Sequence, residues 1–565
     1  MSYLQSVAAA WPFDVTVSED YRRVIRFLDW QVAPATVVGA GYGLGVAVAF
    51  VGLLATTVLP VGSWPMGAAA TLAGALGAMH LVHASPRLLA TARRTLALGT
   101  APVLVAFAVL RMRLAPSPER AAAFAAAAGS GPLADSLEAH VRAARATNRS
   151  GFERFGAEWA EWFPALGRAV DLLTAAGSVP PEDRERTLDR TLDVVLDGTA
   201  DQMRSYSSSL HGPATGIYAF GVLLPVALVS LLPAARASGL AVTLPLVVAL
   251  YDVALPLLLV AAGAWLLSRR PVAFPPPNLG PDHPDVPDRV ASAIGAGCVA
   301  GAAAAGGTAA VLPPWAPPIA GSGVGLGTGL LVRYRPYEDV RDRIRAVEAG
   351  LPDALAIVGR RVSQGVAVER AIESAGADLD GPAGTILDRG ASRQAALDVD
   401  IERAFLGDNG AIETIPSPRV RGSVRLLTVA AREGRPAGNA LLALGTHLED
   451  VQRVERELRA DLGTVVETLR STGAYFGPLV GGATVALAGH MTTEPGFGAV
   501  TAGGIPWLGL AVGGYVLAMA AILTTLSIGL ERGLDRPLVG ARIGWSLLAA
   551  TGSYLVGYLL AAAVA

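Results

Sequence analysis

The chain has 565 residues, 52% hydrophobic, 16% charged and 6% aromatic, with 65 glycines, 38 prolines and one cysteine. Soluble domains carry about 25% charged residues, so a soluble enzyme is disfavoured from the outset, and a net charge of −2 excludes a global attraction to nucleic acid. All 45 basic residues are arginine, which excludes a P-loop and a lysine Schiff base, and the lone Cys298 excludes a disulfide framework or a thiolate metal cluster within one chain.

The opening segment, 1–33, carries Asp14, Glu19, Asp20 and Asp29 and lacks a short apolar core followed by a cleavage site. It is expected to stay on the chain, with a short surface helix over 21–32. Beyond it, charge-free stretches mark the bilayer, because an unpaired charge at that depth costs about 2.5 to 3.5 kcal/mol. They predict two transmembrane helices in 34–85, split at the turn Pro60-Val61-Gly62-Ser63-Trp64-Pro65. Two more follow in 206–268, then a pair in 290–332 broken at Pro313-Pro314-Trp315-Ala316-Pro317-Pro318, two in 471–530 and one in 543–565. The total is nine, with a re-entrant hairpin as the alternative for 290–332. With the amino terminus inside, 44 arginines are cytoplasmic and only Arg236 lies outside, so the positive-inside rule predicts a cell-membrane protein with a cytoplasmic amino terminus and an outside carboxy terminus.

The two long charged stretches, 86–205 and 333–470, read as cytoplasmic helical domains, joined by cytoplasmic loops at 269–289 and 531–542. The first has 15 arginines against 14 acids and the second 20 against 22, so neither is a basic nucleic-acid face. Side by side they show a repeat at an offset of 250 residues. Ala101-Pro102-Val103-Leu104, Arg111 and Pro118-Glu119-Arg120-Ala121 align with Leu351-Pro352-Asp353-Ala354, Arg361 and Val368-Glu369-Arg370-Ala371. In both, an apolar helix breaks at Pro116 or Gly365 and restarts with an acid in its first turn, where the helix dipole favours it. Each domain then runs into a membrane span. The expected fold class is all-α, a polytopic membrane protein with nine helices and two homologous helical-bundle domains.

The run Leu351-Pro352-Asp353-Ala354-Leu355-Ala356-Ile357-Val358-Gly359-Arg360-Arg361-Val362-Ser363-Gln364-Gly365-Val366-Ala367-Val368-Glu369-Arg370-Ala371-Ile372 resembles the opening helices of the type II secretion F domain. The resemblance covers about 86–530, clear in the second copy and degenerate in the first, where Ala115-Pro116-Ser117-Pro118 replaces the short glycine turn. It implies a non-enzymatic membrane platform for a type IV filament or type II secretion-like machine, most similar in span number to archaeal pilus platforms. Its implied partners are a hexameric secretion ATPase in the cytoplasm and pilin-like subunits in the lipid bilayer. No cofactor is implied.

Several constellations bear on that role. Arg419, Arg421, Arg425, Arg432 and Arg435, against the single acid Glu433, offer planar forks suited to an acidic face of the ATPase, with a solvated helix face as the alternative. Arg360 and Arg361 point away from the apolar stripe of their helix and join the docking candidates. Arg341, Arg343 and Arg345 read as headgroup anchors. Asp252 falls inside a span, expected either to line a passage for a pilin helix or an ion, or to face a neighbouring helix and hydrogen-bond Tyr251, a serine or backbone, or to be protonated. His80 and His83 share a helix face but lack a third metal ligand. Glycines four apart, such as Gly297 and Gly301, suit close helix packing within the chain or in a homodimer. The rival from another class is a two-repeat secondary transporter, which predicts dense membrane repeats and a polar site at mid-bilayer.

Overall fold

The computed structural model describes residues 11–28, 30, 32–57, 64–144, 150–237, 247–270, 279–280, 283–433, 436–491 and 506–564. Every regular element among them is helical. The chain divides into two compact units, Met1–Leu96 with Ser268–Arg270, and Ala97–Leu267 with Pro271–Ala565.

In the first unit, α1 (Glu19–Phe27) starts where the Ser18 side chain accepts a hydrogen bond from the Tyr21 N–H, with Glu19 and Asp20 in its first turn. Its buried Tyr21 and Ile25 pack on Val37 of α2 (Pro34–Thr57). The third helix, α3 (Trp64–Leu98), reaches α1 through Arg93, which donates to the Leu28 carbonyl at 3.0 Å, and through Arg94 stacked over the Phe27 ring at 4.6 Å. His83 of α3 hydrogen-bonds the Val38 carbonyl at 3.0 Å and fills the space above Gly41. It is thus a packing histidine, and no group of three metal-ligating side chains exists among the described residues.

The second unit opens with a set of six helices: α4 (Ala101–Leu114), α5 (Pro118–Ala128), α6 (Pro132–Ala144), α7 (Gly151–Ala160), α8 (Pro164–Ala176) and α9 (Pro181–Tyr218). A π-helical turn, π1 (Ala219–Leu223), carries α9 without a break into α10 (Leu224–Ala237). After π2 (Ala249–Ala254) and α11 (Leu255–Ser268) come α12 (Val290–Ala309) and the 48-residue α13 (Ala316–Ser363). A second set follows: α14 (Val368–Asp378), α15 (Pro382–Leu397), α16 (Ile401–Leu406), α17 (Pro418–Glu433) and α18 (Pro436–Ser471). Here too a π turn, π3 (Thr472–Phe476), leads on into α19 (Gly477–Met491). The chain closes with α20 (Pro506–Arg532) and α21 (Arg536–Val564).

The two sets keep one register. Helix starts Pro118 and Val368, Pro132 and Pro382, and Gly151 and Ile401 are each 250 residues apart. Gly131 and Gly381, at the same offset, both hold left-handed backbone, with φ of 90° and 93°. The turn that differs in sequence differs in mechanism. In the second set Gly365, at φ 94°, lets the Gly365 and Val366 N–H groups bond back to the Val362 and Arg361 carbonyls, a glycine C-cap. In the first, Ala115 is extended and the Ser117 hydroxyl caps α5.

Packing explains why α4 is apolar all round from Ala101 to Leu110. It lies among α5, α8, α9 and α18, and Leu104, Val105, Phe107, Val109, Leu110 and Met112 are all buried. The long helices then run together: α9 packs on α18, and beyond the π turns α10 packs on α19. In the apolar half, glycines bring backbones into contact. A Cβ on Gly297 would stand 2.7 Å from the Gly325 carbonyl oxygen, one on Gly301 2.7 Å from that of Gly321, and one on Gly327 2.9 Å from that of Gly544. These contacts seat α13 between α12 and α21.

Among the described residues, seven helical stretches are long and apolar enough to cross a bilayer: Pro34–Leu54, Gly74–Leu114, Pro181–Leu232, Ala249–Ser268, Val290–Ala309, Trp507–Arg532 and Arg536–Val564. The two further spans expected from sequence, 319–332 and 471–491, are helical but diluted by glycine, with Gly321, Gly323, Gly325, Gly327 and Gly329 in the first alone. Of the expected turn at 60–65, 60–63 lie outside the described residues while Trp64 and Pro65 already open α3, and the side chain of the outside Arg236 also lies outside the described residues.

Candidate functional site

The arginine helix α17 faces inward more than its sequence suggests. Arg419, with a side chain only 16% exposed, sits 3.3 Å from Glu455 of α18 and 3.8 Å from Glu348 of α13. Glu348 also accepts the Ser417 hydroxyl at 2.5 Å, and Gln452 donates to the Glu348 carbonyl at 2.9 Å, so this is a closed internal network. Three residues past Arg419, Gly422 lies under the Phe107 ring of α4, and Arg425 donates to the Ala127 carbonyl at the end of α5. α17 therefore joins the two helical sets. The other docking candidates divide differently. Arg421 and Arg360 are exposed, while Arg361 pairs with Asp378 at 2.5 Å across α13 and α14. The Arg432 side chain and Arg435 lie outside the described residues.

The same seam holds titratable groups that the sequence reading passed over. His447 on α18 is 4% exposed; its ring bonds the Pro102 carbonyl of α4 while Nε2 has no partner. Burial pushes its pKa down to about 4. Asp450, one turn along, faces Asp193 of α9, whose carboxyl is pushed up by burial and by Asp197, Asp189 and Asp450. Arg113 of α4 is ion-paired to Asp189. Within the first set, His140 bonds Glu158 at 3.0 Å, which raises the imidazole pKa and lowers that of the carboxyl. A lone histidine and scattered acids carry no spacing signal, since their partners lie on other helices.

Asp252 sits in π2, half-buried, and forms no hydrogen bond or ion pair among the described residues. The expected bond to Tyr251 is not made: the Tyr251 hydroxyl donates to the Pro225 carbonyl at 2.7 Å. Gly514 of α20 leaves the room beside the carboxylate, for a Cβ there would stand 2.9 Å from Oδ1. All three π turns gather on α20. Tyr515 donates to the Gly221 carbonyl in π1, its ring stands edge-on to Tyr251 of π2 at 5.9 Å, and Gly473 of π3 lies against Leu523. A π turn frees a carbonyl from the helical ladder, and tyrosine hydroxyls supply the partners that lipid does not.

The arrangement consists of continuous helices, tight glycine contacts and a buried polar seam. Compared with known proteins, the chain matches no family model, no curated sequence and no solved structure.

Proposed function

We propose that this chain is the integral-membrane platform of a type IV filament or type II secretion-like assembly machine, a non-enzymatic coupler between a hexameric secretion ATPase and pilin-like subunits. One observation carries the reading. Two helical sets in common register each continue, through a π turn, as one unbroken helix into an apolar segment, and the two long helices pack side by side throughout. A displacement imposed on either set is transmitted along about 55 residues of helix, roughly 80 Å at 1.5 Å per residue.

The contacts also support nine spans. The two sets pack together through α4, α9, α17 and α18 and so share one side of the bilayer. The number of crossings between them is then even, and 206–232, 249–268 and 290–309 need 316–332 as a fourth. The buried pair of Arg341 with Asp535 brings the turn between α20 and α21 to the same side, which requires 477–491 as well as 507–532. By arginine count that side is cytoplasmic. The transporter reading shares the repeat and the glycine-rich helices, but for its polar mid-bilayer site it draws on Asp252, in a π turn.

The test is capture of the same cell's secretion ATPase by the full-length protein in detergent. Binding that is lost in Arg360→Glu/Arg421→Glu, with an unchanged melting temperature, supports the platform role and these outward arginines as its docking face. Absence of any binding by the folded wild-type protein overturns the reading.

A further inference from the structure

Outside the seam and the π turns, one cleft stands out where α13 leaves its apolar stretch. It has a volume of about 420 Å³ and is lined by Asp285, Arg289, Arg335, Asp339 and Arg343 together with prolines and Val340. Arg343 is already paired with Asp285 at 3.1 Å. Arg289 and Arg335 are exposed and form no ion pair among the described residues, which leaves two arginines against Asp339.

Depth defines what such a cleft meets. Arg289 immediately precedes α12, and Arg335 lies three residues past Val332, the last residue of the charge-free run. At 1.5 Å per residue its Cα stands about 5 Å beyond the apolar boundary, within the roughly 5–7 Å of a headgroup layer. Guanidinium forks match phosphate oxygens two at a time and are weakly hydrated, so they hold phosphate better than a point charge of the same sign. We propose that this cleft binds the phosphate of an anionic lipid headgroup, seating one lipid between the 283–289 segment and α13. The inference does not depend on the platform role, since it uses only the membrane placement of α12 and α13.

The test is native mass spectrometry of the full-length protein released from detergent containing equal phosphatidylglycerol and phosphatidylcholine. Wild type is expected to retain phosphatidylglycerol selectively, and Arg289→Ala/Arg335→Ala to retain it about thirtyfold less. The control pair Arg536→Ala/Arg542→Ala, before the last span and outside the cleft lining, is expected to retain it as wild type does. Melting in phosphatidylcholine alone checks that each variant is folded, and the single Arg289→Gln stands in if the double is not. Equal losses in both double variants, or no selectivity in wild type, would overturn the site in favour of diffuse attraction. Thermal protection by millimolar inorganic phosphate as large as that by phosphatidylglycerol would overturn the lipid and assign a free anion instead.

Discussion

Arg341 carries a charge that has almost left water: its side chain is 2% exposed, that of Asp535 is 9%, and the two are paired while Nε and Nη1 lack partners. Removing one member strands the other, so Arg341→Met should destabilise by about 3–5 kcal/mol, whereas Arg341→Met/Asp535→Leu should recover most of that loss. Denaturation in detergent of the two singles and the double closes the cycle. His447 makes a prediction about pH. In the unfolded chain its imidazole takes a proton near 6.5, but in the fold only near 4. Folding in that window expels a proton, so stability falls as the pH drops from about 6.5 to about 4, by on the order of 3 kcal/mol, and levels off below. His447→Leu should flatten that slope, while His140, whose pKa the Glu158 hydrogen bond raises, contributes the opposite sign in both proteins. These residues were the least legible in the sequence. Arg419 looked like part of a basic patch because its acids, Glu348 and Glu455, stand 71 and 36 residues away on other helices.

At the scale of elements the sequence was more open, because helix starts are written locally. Pro132 and Pro382, each behind a glycine at positive φ, begin equivalent helices, and the 250-residue register follows from them. The π turns carry a mark that the sequence analysis passed over. Ala219–Leu223, Ala249–Ala254 and Thr472–Phe476 each end two residues before a proline, Pro225, Pro256 and Pro478, whose missing N–H interrupts the helical ladder, and tertiary partners such as Tyr515 hold the conformation. Two experiments belong here. Gly301→Ile would drive a side chain into the Gly321 backbone, which has no rotamer to yield, and should cost about 1–3 kcal/mol in thermal or denaturant melts. Deleting Ala474 from π3 should restore an ordinary α-helix and turn everything before it by about 100° relative to everything after. If the π turns set the phase between helical set and membrane, that deletion leaves ATPase capture intact and abolishes filament assembly.

At the scale of the whole molecule, membrane topology depends on a parity that no single segment reveals. Read by apolar length alone, the seven strongest helices would put the second helical set across the bilayer from the first. Packing of α4 and α9 on α18 conflicts with this, and under the proposed nine-span topology the glycine-diluted 316–332 crosses despite its weak hydropathy. Glycine lowers the apparent hydropathy of this segment for the same reason that it is there: Gly325 and Gly329 meet α12, and Gly327 meets α21, at backbone distance. Arginine counting expects both sets on one side from the loops alone, because charge, unlike burial, is visible residue by residue. The single cysteine makes the point measurable. In a Cys298→Ser background, Val311→Cys, exposed in the turn between α12 and α13, should react with a membrane-impermeant maleimide on intact cells. Leu534→Cys, exposed between α20 and α21, should react only after permeabilisation. Labelling of both from outside would break the parity that ties Asp535 to Arg341. Protection of position 311 alone would convert α12 and the start of α13 into a re-entrant hairpin, leaving both helical sets together but the crossings two fewer.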